Sequence, residues 1–216
     1  MKGLKLIIFD LDGTLVDAYQ AIISSFNYTM SELKAKQQSN SVIRRAVGRG
    51  DENLLKPFIN EKDLKKALII YRRHHKKALL KDSRLFPGAK KLLRQLKEKG
   101  YKLAVASNRP TRFSWVLIRR LGLKKYLDYV LCADRLKQGK PHPEIMNKIL
   151  RRFSLKPENA LYIGDMTVDA QAGRRSKIKT VIVTTGSNTR LEIEKEVPFF
   201  IITKIMQLPK VIGLPL

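Results

Sequence analysis

The chain has 216 residues, 44% apolar and 29% charged, a composition that excludes intrinsic disorder and suits one domain or a domain with a small insert. The single cysteine, Cys132, excludes an intramolecular disulfide and thiol-based metal sites. Forty-four Lys+Arg against 19 Asp+Glu leave a net charge of +25, which draws anionic partners.

The chain opens with Met1–Phe9, whose lysines and short apolar stretch mimic a signal peptide. The apolar part is too short, Asp10 and Asp12 follow at once, and no small-residue cleavage site appears. No apolar run reaches the roughly 18 to 20 residues of a spanning helix. A soluble cytoplasmic protein is expected.

Five short runs rich in β-branched residues are predicted strands: Leu4–Phe9, Leu103–Ala106, Tyr129–Cys132, Leu161–Ile163 and Thr180–Val183. Phe199–Ile202 offers a sixth. Several are continuously apolar, the pattern of strands buried on both faces of a parallel sheet. Helical periodicity fills the gaps at Ala89–Lys99, Phe113–Leu121 and Glu144–Phe153. This alternation predicts an α/β fold with a doubly wound, mostly parallel sheet.

From Leu15 to Phe86 no strand is evident, but helical patterns recur, most clearly over Glu61–Leu80 with Leu64, Ala67, Leu68, Tyr71, Ala78 and Leu79 on one face. A stretch this long is no ordinary connection. The expected organisation is an α/β core of residues 1–14 and 87–216 with an all-helical cap domain of residues 15–86. Positive charge is spread over both parts, +8 on Leu15–Phe86 and +17 on the rest. The basic runs Arg72–Lys77, Lys90–Lys99 and Arg174–Lys179 lack the interleaved aromatics that stack bases. Small anions are therefore preferred over nucleic acid as partners.

Ligands of open parallel sheets bind beyond the carboxyl ends of the strands. There the sequence places Asp10, Asp12 and Thr14, then Ser107, Asn108 and Arg109, then Lys140, and last Asp165 and Asp169. Carboxylates gathered this closely repel unless a cation neutralises them, and oxygen donors without His or Cys suit a hard ion such as Mg²⁺. Metal, lysine, hydroxyl and backbone N–H groups together suit a phosphate. Asp10 and Asp12, two residues apart, divide naturally into nucleophile and acid/base.

These segments resemble the haloacid dehalogenase superfamily in its phosphatase form. Asp10-Leu11-Asp12-Gly13-Thr14-Leu15-Val16-Asp17 is similar to its first motif and Val105-Ala106-Ser107-Asn108 to its second. Gly139-Lys140-Pro141-His142-Pro143 is similar to the third, and Gly164-Asp165-Met166-Thr167-Val168-Asp169-Ala170 to the fourth. The resemblance spans residues 3 to about 188 and leans toward the phosphoglycolate phosphatase subgroup.

The resemblance implies that Asp10 attacks phosphorus to form an aspartyl-phosphate, and that Asp12 protonates the leaving oxygen and later activates water. It implies metal contacts from Asp10, the Asp12 backbone carbonyl and Asp165, with Asp169 orienting Lys140 or a metal-bound water. Ser107 and Asn108 would donate to phosphoryl oxygens, Lys140 would bridge nucleophile and phosphate, and Thr14 would support Asp12 and the phosphate site. True dehalogenases lack an acid at the Asp12 position, so Asp12 favours phosphoryl chemistry.

The segment Val47-Gly48-Arg49-Gly50 resembles the substrate-specificity loop of helical caps, with Arg49 reaching for an anionic tail and Arg45 a weaker candidate. Asp17 reads as a helix N-cap, and Arg109 as either a phosphate contact or a solvated loop residue. His74 and His75 lie beside an apolar stripe, His142 between prolines, Cys132 in a strand, and Trp115, Phe113 and Leu117 on a packing face; all are read as structural. The expected function is a Mg²⁺-dependent phosphatase of a small phosphorylated metabolite, acting as a monomer or homodimer. Inorganic pyrophosphatase, sugar-phosphate mutase and a basic nucleic-acid-binding protein on this fold are the alternatives.

Overall fold

The computed structural model describes Met1 and residues 3–214. In chain order its strands are β1 (Leu6–Phe9), β2 (Val16–Asp17), β3 (Arg84–Leu85), β4 (Lys102–Ser107), β5 (Tyr129–Cys132), β6 (Ala160–Gly164), β7 (Lys179–Val183) and β8 (Phe200–Ile202). Its α-helices are α1 (Tyr19–Glu32), α2 (Asn40–Ala46), α3 (Asp51–Leu55), α4 (Glu61–Asp82), α5 (Ala89–Glu98), α6 (Thr111–Arg120), α7 (Glu144–Arg152), α8 (Thr167–Arg175), α9 (Arg190–Glu194) and α10 (Leu208–Ile212).

The six predicted apolar runs form one parallel sheet in the order β5-β4-β1-β6-β7-β8. Alternation along the central strands sorts their side chains to two faces. Ile7, Phe9, Val105 and Ile163 pack with Leu92, Leu93 and Leu96 of α5 and with Leu117 and Ile118 of α6. Leu6, Ile8, Ala106 and Tyr162 pack with Ile145, Met146 and Ile149 of α7. Both faces are covered, which is why these strands read as continuous apolar runs. The chain runs from β1 to β4 and β5 on one side and returns to β6 on the other, so the crevice at the end of β1 is the topological switch point.

Helices α1 to α4 gather around a separate apolar cluster built from Ile22, Phe26, Met30, Ile43, Leu54, Leu55, Ala67 and Tyr71. The feet of α1 and α4, at Ala18, Ala21, Ala78 and Leu79, lodge instead in the main core. Contrary to the sequence reading of Leu15–Phe86, this stretch begins and ends in strands. β2 and β3 pair antiparallel, Val16 with Leu85 and Asp17 with Arg84, and the Phe86 amide donates to the Leu15 carbonyl at 3.1 Å. Two residues per strand leave no periodicity for a sequence pattern to register. No helix among the described residues is long and apolar enough to cross a membrane.

Candidate active site

The edge beyond β1, β4 and β6 collects the polar groups. β1 continues one step past its last residue, with the Asp10 amide donating 2.8 Å to the Ile163 carbonyl. The chain then turns sharply: the Leu15 and Val16 amides both reach the Leu11 carbonyl, at 3.0 and 2.9 Å. Gly13 enables the turn with φ +79°, and a Cβ there would strike the Asp165 carboxylate; one on Gly186 would strike it from the other side. Two bare backbones thus cradle Asp165, which is fully buried. Thr14 Oγ1 donates to Asp165 Oδ1 at 2.9 Å, and the Thr185 hydroxyl donates to the Gly13 carbonyl.

Lys140 is buried behind Asp10. Its ammonium donates to the Ala106 carbonyl at 3.1 Å, the Tyr162 hydroxyl at 3.0 Å and Asp169 Oδ1 at 2.8 Å. Those three bonds use its three protons, and Asp10 Oδ1 stands 2.9 Å away as an ion-pair partner outside hydrogen-bond alignment. Burial opposes the charge, but Asp10 and Asp169 outweigh it and hold the Lys140 amine above its ordinary range. Asp169 is saturated. Its Oδ1 also accepts from Tyr162 at 2.6 Å, and its Oδ2 accepts from the Asp165 and Met166 amides at 3.1 and 3.0 Å. This carboxylate therefore holds the Lys140 ammonium and the two amides that lead into α8.

Asp10 and Asp165 are different. Burial, then the neighbouring carboxylates, push Asp10 up to about 7 despite Lys140, and burial with Asp169 and Asp10 raises Asp165 well above the carboxylate range. Each keeps one buried oxygen without a hydrogen-bond partner, Oδ1 on Asp10 and Oδ2 on Asp165. Asp10, Asp165 and Asp169 bring ligand oxygens within 4.8 Å of one another. With Asp169 committed to Lys140, Tyr162 and two amides, the oxygens left for a ligand are those of Asp10 and Asp165, and an all-oxygen set of this kind fits a hard divalent cation.

The Asp12 carboxylate stands apart from this cluster. Arg109 grips it with two parallel bonds, Nε to Oδ2 at 2.6 Å and Nη2 to Oδ1 at 2.8 Å. Its remaining Nη1 donates to His75 Nε2 on α4 at 2.5 Å. Arg109 is only 8% exposed, so it is not a solvated loop residue; its guanidinium lines the cavity with Asp10 and Ser107 and is spent on Asp12 and His75. His75, 2% exposed, is held neutral by burial and by the Arg109 charge.

The loop between α2 and α3 closes the site from above. Val47, Gly48 and Gly50 line a cavity of about 60 Å³ together with Asp10, Asp12, Ser107 and Arg109. Positive φ at Gly48 (119°) and Gly50 (88°) turns the backbone onto Met166 and Asn108 and leaves the Arg49 side chain exposed. Arg49 is thus not brought to the cavity; Arg109 supplies the guanidinium there. Arg45 is also directed elsewhere, to Glu192 at 2.6 and 2.8 Å and to the Ser187 carbonyl at 2.8 Å. Asn108 spends its side-chain amide on scaffolding, donating to the Gly48 and Lys140 carbonyls and accepting from the Lys140 amide.

A family model for haloacid dehalogenase-like hydrolases matches residues 7–183. The chain belongs to the haloacid dehalogenase-like hydrolases. Among members of this family it is 29% identical to a phosphoglycolate phosphatase of Nitrosococcus oceani, over 99% of this chain and 98% of that one. It is 32% identical to one from Nitrosospira multiformis, over 86% and 85%. A crystal structure of a predicted phosphoglycolate phosphatase from Haemophilus somnus superimposes with a TM-score of 0.92 at 28% identity, covering 98% of this chain and 99% of that one.

Within this hydrolase, most residues read as structural are so. Cys132, Phe113 and Leu117 are buried, Trp115 is half-buried, and His142 Nδ1 accepts from the Glu144 amide at 3.2 Å. His74 stacks on Tyr28 outside the cavity lining. Asp17 lies one residue before the N-cap position, which Ala18 holds; it sits in β2 paired with Arg84 at 3.1 Å, and its Oδ1 still accepts from the Tyr19 amide that opens α1, at 3.4 Å. Sequence reasoning missed Tyr162, whose signal was a phenol in a wholly buried strand, where a hydroxyl must find a partner. His75 carried no such signal, because its partner lies 34 residues away.

Proposed function

We propose that this hydrolase is a Mg²⁺-dependent phosphatase of a small phosphate monoester whose leaving part carries a second anionic group, a substrate of the phosphoglycolate kind. The observation that carries this reading is the buried carboxylate pair of Asp10 and Asp165: Asp165 Oδ2 lacks a hydrogen-bond partner, and Asp10 Oδ1 is held only by its ion pair with the fixed ammonium of Lys140. A divalent ion held by Asp10, Asp165 and the Asp12 backbone carbonyl would supply positive charge against the phosphoryl oxygens. Relatives that bear the name phosphoglycolate phosphatase over almost their whole length support the substrate class.

Asp10 attacks phosphorus in line, its oxygen–phosphorus bond forming as the bond to the leaving oxygen breaks. Asp12 gives that oxygen its proton. It then takes a proton from the water that attacks the aspartyl-phosphate, which releases phosphate and restores Asp10. Lys140 keeps Asp10 placed and offsets charge on the transferring group, while Ser107 and the backbone amides beyond β4 donate to it. Asn108 holds the lysine loop rather than offering its side chain. Residues 15–86 act as a cap over a catalytic body of residues 1–14 and 87–216, excluding water when seated. The cavity beneath this cap, about 60 Å³, is lined by Asp10, Asp12, Ser107 and Arg109.

A panel of phosphate esters, pyrophosphate and hexose phosphates, assayed with Mg²⁺, tests the reading. Release from small carboxylated esters, abolished by Asp10→Asn, is the expected result. Preference for pyrophosphate or interconversion of hexose phosphates would replace it.

A further inference from the structure

The contact between α4 and Arg109 does more than fasten two elements. Its hydrogen bonds run in one direction. Ser25 Oγ donates to the Ala21 carbonyl at 2.6 Å, so its lone pairs face His75 Nδ1 at 3.1 Å. The Nδ1 proton therefore belongs to His75, and Nε2 is left as an acceptor for Arg109 Nη1. Tyr71 stacks on one side of the imidazole with ring centres 4.9 Å apart, and Phe113 meets it edge-on at 5.3 Å. The ring can neither turn nor be replaced by water without breaking this packing. Arg109, gripped at one end by that fixed nitrogen, has a single orientation in which its other two nitrogens meet both Asp12 oxygens.

We propose that His75 is a positioning residue which, through Arg109, sets the Asp12 carboxylate, so that the acid/base group is aligned only while α4 is seated on the catalytic edge. The inference rests on the phosphatase reading above, in which Asp12 protonates the leaving oxygen. It gives the cap a chemical role besides excluding water: helix seating and proton delivery are joined by three side chains in series.

The test uses the full-length protein with Mg²⁺ and two esters that differ in their need for a proton. The oxygen leaving 2-phosphoglycolate requires protonation, whereas 4-nitrophenolate departs without it. kcat/KM reports the steps through the first irreversible phosphoryl transfer, where Asp12 acts as acid. His75→Phe should lower kcat/KM for 2-phosphoglycolate by about tenfold or more and for 4-nitrophenyl phosphate by less than about threefold. Asp12→Asn should show the same selectivity more strongly. His75→Gln, whose carbonyl can accept from Arg109 while its amide donates to Ser25, should recover most of the loss. Should His75→Phe not fold, Arg109→Lys reads the same selectivity, because one ammonium cannot span Asp12 and His75 together. Equal losses on both esters, or no recovery in His75→Gln, would overturn the inference while leaving the phosphatase reading standing. A wild-type protein that hydrolyses neither ester would overturn both.

Discussion

Asn108 and Gly48 meet across the cavity. Asn108 Nδ2 donates 2.8 Å to the Gly48 carbonyl, while the same side chain binds both backbone groups of Lys140 at 2.8 and 2.9 Å. One residue beyond β4 thus holds the loop that carries the lysine and touches the loop that closes the site. A side chain committed to three bonds is a scaffold, and its removal should be felt on both sides.

Asn108→Ala is expected to cost about 1–3 kcal/mol of folding stability, since a half-buried network loses bonds and leaves backbone groups of Lys140 unpaired. Turnover should fall with it as the lysine loop loosens. Urea denaturation followed by circular dichroism, with phosphate release measured alongside, checks both. Wild-type stability in this variant would show that water replaces the amide without loss.

Lys140→Met is expected to be more damaging. The ammonium faces Asp10 and Asp169 with almost no solvent contact, and an uncompensated buried carboxylate typically costs roughly 3–5 kcal/mol. The loss should be largest above pH 7, where Asp10 is ionised, and shrink in acid, where it binds its proton. Denaturation midpoints at two pH values distinguish this from a simple packing defect, which would be pH-independent.

The raised Asp10 pKa sets the direction of a pH effect in chelated protein. Its folded value of about 7 lies above the ordinary carboxylate value of about 3.9, so the folded state binds this proton more tightly than the unfolded chain. The resulting stability is complete below about pH 4 and is lost as pH rises through 7. Asp165, shifted the same way, adds to the slope. In chelator, Asp10→Asn should therefore melt above wild type at pH 8 and close to it at pH 5. Mg²⁺ should raise the wild-type melting temperature at pH 8 and do little for Asp165→Asn. Thermal scans with and without chelator provide the comparison.

The sheet and most of the catalytic edge were legible because both rest on local signals. Continuous apolar runs mark strands covered on two faces, and Asp10, Asp12, Lys140 and Asp165 sit in segments whose spacing is itself the message. What escaped depends on contacts distant in sequence. Arg109 follows two motif residues and looks like a loop charge until Asp12, 97 residues away, receives it. Arg49 sits between two glycines in an inviting loop, yet the positive φ angles that permit the close approach of Gly48 and Gly50 turn the side chain between them outward. The β2–β3 pair consists of four residues whose partners lie at opposite ends of the helical insert, beyond any local pattern.

The contacts of Arg45 differ in kind from those of Arg109. It joins α2 to α9 by a two-pronged pair with Glu192, strengthened by the Ser187 carbonyl. The hydrogen bonds from Arg45 hold the Glu192 carboxyl well below its ordinary range. The pair is half-exposed, so screening by salt should weaken it, whereas the buried Arg109–Asp12 pair should resist. If the pair helps to seat the helices on the catalytic edge, Arg45→Ala should raise KM at low ionic strength with little change in melting temperature. The difference from wild type should disappear as salt approaches about 1 M, where the screening length is about 3 Å. A KM difference that persists unchanged at high salt would mean that Arg45 acts by shape rather than by charge.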